Sequence, residues 1–435
     1  MNDAPRPAPS LGLWELVAIG VGGMIGGGIF SVLGIAVGIA GHAAPLAFAL
    51  GGVIAVLAGY SYVKLALAYR DDGASFTYLE RAFPKAPHIA GVMGWIIVVG
   101  YIGTLSLYAY TFGAYGADLF GSADSGVVRR FLSIGVLLVF LVVNLRGART
   151  SGLTEDLIVY SKIALLALVG AFAMRSVRVE RLTPIFDEGA GSVFIAGATV
   201  FVAFEGFQLI TNAVIETKNP THNIPRGIYA SIVITTTIYV LLAVVAVGSL
   251  SQSELVEAKE YALAAAARPA LGEAGTVIVG LAALLATSSA INATAFGASR
   301  LMSQIATERM LPRAFSFRRR DSDTPEIAIV VFIGLGIVFT SLGTLDIIAT
   351  FSSLTFLLVS FGVGVANLRL RATTRANPGL ILAGLAVVAV TIALLLWHMW
   401  TKERDLFYSV AGLYAAILVG EIGFTKRGLL FRGRA

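Results

Sequence analysis

The stretch "VGGMIGGGIF", residues 21–30, sets five glycines inside an apolar run that begins near residue 13. Each glycine costs a helix interior about 1 kcal/mol relative to alanine. A second interruption, "VAFEGFQ" at 202–208, puts a glutamate, a glycine and a glutamine inside another apolar run. Both interruptions fall near the middle of segments long enough to cross a membrane.

The whole chain shares that apolar character. Of its 435 residues 57% are hydrophobic and 13% charged, and the mean hydropathy is +0.83; lipid is the solvent for most of it. There is no cysteine, and four scattered histidines (His42, His88, His222, His398) form no metal motif. No GxxxxGK[ST] loop is present, so ATP hydrolysis is not expected, and no cofactor is implied. The first twelve residues are polar and proline-rich, which argues against a cleaved leader.

A span needs about 20 apolar residues. Twelve are read, over 13–38, 46–69, 89–117, 129–145, 156–174, 192–215, 228–249, 274–299, 327–342, 347–368, 379–398 and 406–424. With the N-terminus inside, inner segments hold 21 of the 32 lysines and arginines and outer loops hold 9, with "RRR" at 318–320 the densest inner cluster. The positive-inside rule therefore expects both termini to be cytoplasmic. It also accounts for the net charge of +6 without nucleic acid. Helix 6 comes five spans after helix 1, so the two interrupted helices run in opposite directions. Interrupted segments at matching places of two inverted halves point to a secondary-transporter site. The fold expected is an all-α integral membrane protein of 12 transmembrane helices. Helices 1–5 and 6–10 form a 5+5 inverted repeat, helices 1 and 6 are unwound, and helices 11–12 are appended. In residues, a tail at 1–12 precedes a transport core at 13–370, helices 11–12 at 371–425 and a tail at 426–435. A second reading of Gly20, Gly22, Gly23, Gly26, Gly27 and Gly28 is close helix packing alone.

Four stretches carry a family resemblance: "GGMIGGGIF" (22–30), "GASFTYLERAFPKAPHIAGVMGW" (73–95), "FVAFEGFQLITNAVIETKNPTHNIPRGI" (201–228) and "LLATSSAINATAFGASRLMSQIATERMLP" (284–312). They resemble the first helix, the loop into helix 3, the sixth helix with its K-N-P loop, and helix 8 of the amino acid–polyamine–organocation transporters. That family has the LeuT-type inverted-repeat fold. The major facilitator's G-x-x-x-D-R-x-G-R-R between helices 2 and 3 is not matched by "YRDDGAS".

The resemblance implies a substrate held by unwound backbone. Around Ile25, Gly26, Gly27 and Gly28, freed polar groups are tolerable only facing a cavity. The N–H groups of Gly27, Gly28 and Ile29, at a helix N-terminus, suit a carboxylate. The family's ammonium acceptors correspond to Ile25, Val202, Ala203 and Glu205. Gly27 stands where members often have serine, which removes a hydroxyl contact. Phe204 and Phe207 would line and gate the pocket, and Tyr101, Thr104 and Ile291 would shape its side-chain end. Plain core packing explains any one of these apolar residues equally well.

Lys162 lies inside helix 5, where a charge costs about 3 kcal/mol on insertion scales. Its long stem allows snorkelling to the cytoplasm. Some family members instead place a lysine where sodium-coupled relatives bind sodium. Lys162 would then sit between helix 1 carbonyls near Gly22 and the hydroxyls of Ser288 or Ser289, and couple transport to protons. Glu205 departs from an apolar position of the family and has three readings: a second titrating group, a selector of a cationic substrate group, or a hydrated vestibule residue. Lys64 reads as an interfacial anchor. Glu216, Lys218 and Arg226 read as an inner ion-pair gate or a solvated loop, and Asp71 and Asp72 as loop residues beside Arg70.

The function expected is secondary active amino-acid transport, proton-coupled and sodium-independent, by alternating access in a cell (inner) membrane. The partners are an amino acid or related amine, protons and the lipid bilayer. The alternatives are a polyamine or organic-amine carrier and an amino-acid exchanger. A channel would show a selectivity-filter motif such as TVGYG. An enzyme would need a nucleophile–base set or a metal cluster, and a sensor would need a large output domain.

Overall fold

The computed structural model describes residues 10–70, 74–146, 152–318 and 324–432. Asp71, Asp72, Arg319 and Arg320, together with residues 1–9 and 433–435 of the tails, lie outside the described residues. The chain is all-helical, a multi-pass membrane protein with ten helical segments long and apolar enough to cross a bilayer among the described residues. Two shorter apolar helices, Leu13–Met24 and Glu326–Leu342, accompany them.

In order, the helices are α1 (Leu13–Met24), α2 (Gly28–Ala40), α3 (Ala44–Tyr69), α4 (Ala74–Ala82), α5 (Pro87–Leu119), α6 (Gly126–Leu145), α7 (Gly152–Ala173), α8 (Ala190–Thr199), α9 (Leu209–Asn212) and α10 (Pro220–Ser249). Then come α11 (Gln252–Glu257), α12 (Ala262–Thr307), α13 (Glu326–Leu342), α14 (Leu345–Arg369), α15 (Arg371–Thr374), α16 (Pro378–Lys402) and α17 (Arg404–Arg432). Prolines open α3, α5, α10 and α16, where a missing N–H breaks no ladder bond. Ser125 and Thr344 cap α6 and α14 by accepting from Val128 N and Ile347 N.

The first predicted span is two helices: α1 and α2, separated at Ile25–Gly27. The sixth is α8, a 3₁₀ turn over Val200–Phe204, an irregular stretch at Glu205–Gln208 and the single turn α9. The predicted span 274–299 continues to Thr307, and a kink at Gly272 (φ 61°) joins it to a preceding stretch from Ala262. The segment read as a loop before helix 3 contains α4, a nine-residue amphipathic helix packed on α14 and α5. Pro225 lies inside α10, in its second turn.

Packing ranks the helices. In the Ala190–Asn212 segment 83% of the most apolar stretch is buried, against 17% in Gly126–Leu145. The sixth predicted span is thus at the centre and α6 at the rim, where Phe131, Val139 and Val142 are exposed as lipid contact demands. α10 packs on α3 and α1, and α12 on α5 and α7.

The glycines around the break between α1 and α2 have no room for side chains. A Cβ on Gly23 would lie 2.9 Å from Gly206 Cα, one on Gly26 2.6 Å from Ala290 Cβ, and one on Gly28 2.8 Å from Ala203 Cα. None of them uses a positive φ; Gly206, at φ 143°, does. Close packing and the break are therefore two consequences of the same residues. Gly206→Ala should lower unfolding stability in detergent by about 2 kcal/mol or more, through backbone strain and overpacking. Gly38→Ala, whose new methyl would meet Val256 Cγ2 at 3.7 Å, should leave stability unchanged or raise it by up to about 1 kcal/mol.

Candidate functional site

A helix leaves its last carbonyls without intrahelical partners, and in hydrocarbon each must be satisfied from elsewhere. At the end of α1, side chains of three other helices do this. Lys162 on α7 donates from Nζ to Ile25 O at 2.8 Å and to Gly22 O at 3.3 Å. Tyr108 on α5 donates to Gly23 O at 3.4 Å. The Tyr239 hydroxyl on α10 lies 2.7 Å from Met24 O and 3.0 Å from Ala203 O. Having one proton, it serves one carbonyl at a time and spans both breaks.

Lys162 is 4% exposed, with its ammonium turned into the protein rather than toward the cytoplasm. It meets the negative end of the α1 dipole, which favours a cation. Ser288 and Ser289 are half-buried on α12, following Thr287, whose methyl lies 3.3 Å from a Cβ built on Gly27.

Across the gap, α2 opens at Gly28 with Gly27 as a cap that has no side chain to offer. Its first-turn N–H groups, including those of Gly28 and Ile29, are the donors a helix cannot pair internally. They abut the helix 6 break, because Gly28 touches Ala203. In that break Val202 N donates to Ser353 Oγ (2.9 Å), Ser353 Oγ to Thr199 O (2.5 Å), and Gly206 N to Gln208 Oε1 (3.0 Å). Glu205 N donates to Val202 O. The carbonyls expected to receive a substrate ammonium thus already hold partners: Ile25 O has Lys162, Val202 O has Glu205 N and Ala203 O has Tyr239. Each retains a second lone pair.

Phe204 is fully buried, edge-on to Tyr239 with ring centroids 5.4 Å apart. Phe207 is edge-on to Tyr62 at 5.6 Å, and Tyr101 to Phe356 at 5.5 Å. Ile291 is buried beside Ala290, the residue that meets Gly26. Thr104 spends its hydroxyl on Gly100 O within α5. Glu205 is 7% exposed, within electrostatic reach of Tyr62, Tyr101 and Tyr108, and pairs with no cation among the described residues.

Lys64 lies half-buried with its ammonium 5.8 Å from the Tyr60 ring centroid, as suits an interfacial side chain. Glu216, Lys218 and Arg226 form no ion pair with one another among the described residues. The link at that end is made by backbone. Leu11 and Thr217 form a parallel bridge, with Ser10 N and Leu11 N donating to Glu216 O and Lys218 N to Leu11 O.

The model of the amino acid permease family matches residues 11–420. The chain belongs to that family. The permease is accordingly a membrane transporter rather than an enzyme, and its work is amino-acid transport in general. It is 31% identical to the inner membrane transport protein YbaT of Escherichia coli over 97% of both chains. It is 24% identical to the branched-chain amino acid permease BcaP of Bacillus subtilis over 93% of this chain and 91% of that one. To cationic amino acid transporter 1 of Arabidopsis thaliana it is 26% identical, over 89% of this chain and 68% of the relative.

Tyr108, Tyr239, Gln208 and Ser353 of the permease escaped sequence reasoning. They are ordinary polar residues of apolar helices, and nothing in their spacing tells which face turns to a break. Tyr239→Phe keeps the ring against Phe204 but strips a proton from two buried carbonyls. Thermal unfolding in detergent should show a loss of about 1–3 kcal/mol, with Thr237→Val, on the exposed side of α10, within about 0.5 kcal/mol of wild type.

Proposed function

We propose that the permease is a proton-coupled, sodium-independent secondary transporter of amino acids. It works by alternating access, with substrate bound at the breaks of the first and sixth spans. The observation that carries this reading is the buried Lys162 ammonium on Gly22 O and Ile25 O. Carbonyls at the end of a broken helix are ligands a sodium ion would take, and here the protein's own cation holds two of them. Loss of the proton from Lys162 weakens both bonds and frees the end of α1. Regaining it locks that end again. Gly22, Ser288 and Ser289 complete the coupling site, and Glu205 is a second group able to carry a proton.

The substrate carboxylate rests on the N–H groups of Gly27, Gly28 and Ile29 at the positive end of α2. Its ammonium turns to the free lone pairs at Ile25, Val202 and Ala203, with Gly26 in the same unwound turn. Phe204 and Phe207 close over it, and Tyr101, Glu205 and Ile291 border its side chain. The frame is the twelve-span, 5+5 inverted repeat. Its transport core covers 13–370, with helices 11–12 at 371–425 and both tails, 1–12 and 426–435, cytoplasmic, as the lysine and arginine distribution supports. An organic amine is the second reading, and the buried Glu205 carboxylate favours it. Exchange of amino acids would use the same site.

Uptake of a labelled amino-acid panel into proteoliposomes tests this. An inward proton gradient should drive accumulation and a sodium gradient should not. Lys162→Ala should lose gradient-driven accumulation by tenfold or more. Sodium-driven uptake by wild type would overturn the coupling reading, and accumulation of amines alone would overturn the substrate reading.

A further inference from the structure

At the end of α1 the buried cation Lys162 and the carbonyls of Gly22, Gly23, Met24 and Ile25 answer one another or Tyr108 and Tyr239; one buried ionisable group beside them is answered by no cation among the described residues. Glu205 follows the 3₁₀ turn of the sixth span and is 7% exposed. No lysine, arginine or histidine pairs with it among the described residues. Tyr62, Tyr101 and Tyr108 lie within electrostatic reach of it, and the Gln208 Oε1 accepts from Gly206 N. A buried carboxylate without a cation is costly, and an ionisable group at membrane depth marks a functional position.

From the substrate cradle, Glu205 lies across one tyrosine side chain. A Cβ on Gly27 would meet Tyr108 Cδ1 at 2.5 Å, so the Tyr108 ring begins at the cradle. Its hydroxyl ends at Gly23 O, beside Gly206 and hence next to Glu205 in the chain. A substrate whose carboxylate sits at Gly27–Ile29 and whose side chain runs along that ring brings its far end to Glu205.

We infer that Glu205 is the specificity determinant of the site and that the permease selects amino acids with a cationic side chain, whose charge pairs with this carboxylate. The inference rests on the amino-acid reading of the cradle given above. A neutral side chain leaves Glu205 without a partner, and a site built around a buried polar group rejects ligands that leave it unpaired. A diamine satisfies Glu205 but leaves the N–H groups of Gly28 and Ile29 without an anion.

Isothermal titration of purified permease with lysine, norleucine and cadaverine reads all three terms without depending on coupling. Wild type should bind lysine at least tenfold tighter than norleucine and at least tenfold tighter than cadaverine. In Glu205→Gln the lysine-to-norleucine ratio should fall to near one. If that variant does not fold, Glu205→Asp, which withdraws the charge by one methylene, should lower the ratio at least threefold. Equal binding of lysine and norleucine by wild type would overturn the inference while leaving amino-acid transport intact. So would a ratio that Glu205→Gln, or in its place Glu205→Asp, leaves unchanged. Cadaverine binding as tight as lysine, abolished by Glu205→Gln, would support the role of Glu205 and overturn the carboxylate cradle. Binding of none of the three by a folded wild type would overturn both.

Discussion

The structure depends on a rule of the bilayer: a backbone carbonyl inside hydrocarbon must find a donor within the protein. Ending α1 at Met24, in mid-membrane, releases several carbonyls at once. Lys162, Tyr108 and Tyr239 come from three different helices to answer Gly22, Gly23, Met24 and Ile25. The break is thus a node where α5, α7 and α10 are tied to α1 through polar atoms. Polar bonds of this kind are few and directional, so they hold one geometry where apolar packing would accept several.

Contact between the two breaks is the second constraint. Gly23 against Gly206 and Gly28 against Ala203 bring the backbones of the two irregular segments together on both sides of the gap. Tyr239 lies between them. At the far end of α1 the Leu11–Thr217 bridge joins the chain before α1 to the chain after α9. α1 and the chain around α9 are therefore connected at two points. The other piece of the sixth span has its own tie, through Ser353, to α14.

The two ionisable groups at depth differ in how they are answered. Lys162 faces the negative end of a helix dipole and two carbonyls, so its charge is accommodated by the resting protein. Glu205 faces tyrosines and has no countercharge among the described residues. One group belongs to the scaffold's own electrostatics; the other is left to whatever cation the site admits in the reading proposed above.

The sequence by itself determined that the chain spans the membrane many times, that the first and sixth spans are interrupted at residues 21–30 and 202–208, and that Lys162 and Glu205 are ionisable residues within apolar runs; that both are buried was decided by the structure. The features read from sequence follow from local composition, since hydropathy, glycine density and a charge within an apolar run are read along one segment. The bond from Lys162 to Gly22 was within reach because family resemblance carried a distant pairing onto particular residues. Tertiary structure alone decided that Tyr108, Tyr239 and Ser353 satisfy the freed backbone. It also decided that the glycines of α1 touch the sixth span and that the link between residues 10–11 and 216–218 is a backbone bridge, with no ion pair among Glu216, Lys218 and Arg226 in the described residues. Each of those depends on which face of a nearly uniform apolar helix turns inward. With apolar residues on every side, a membrane helix carries little periodicity from which to read its rotation.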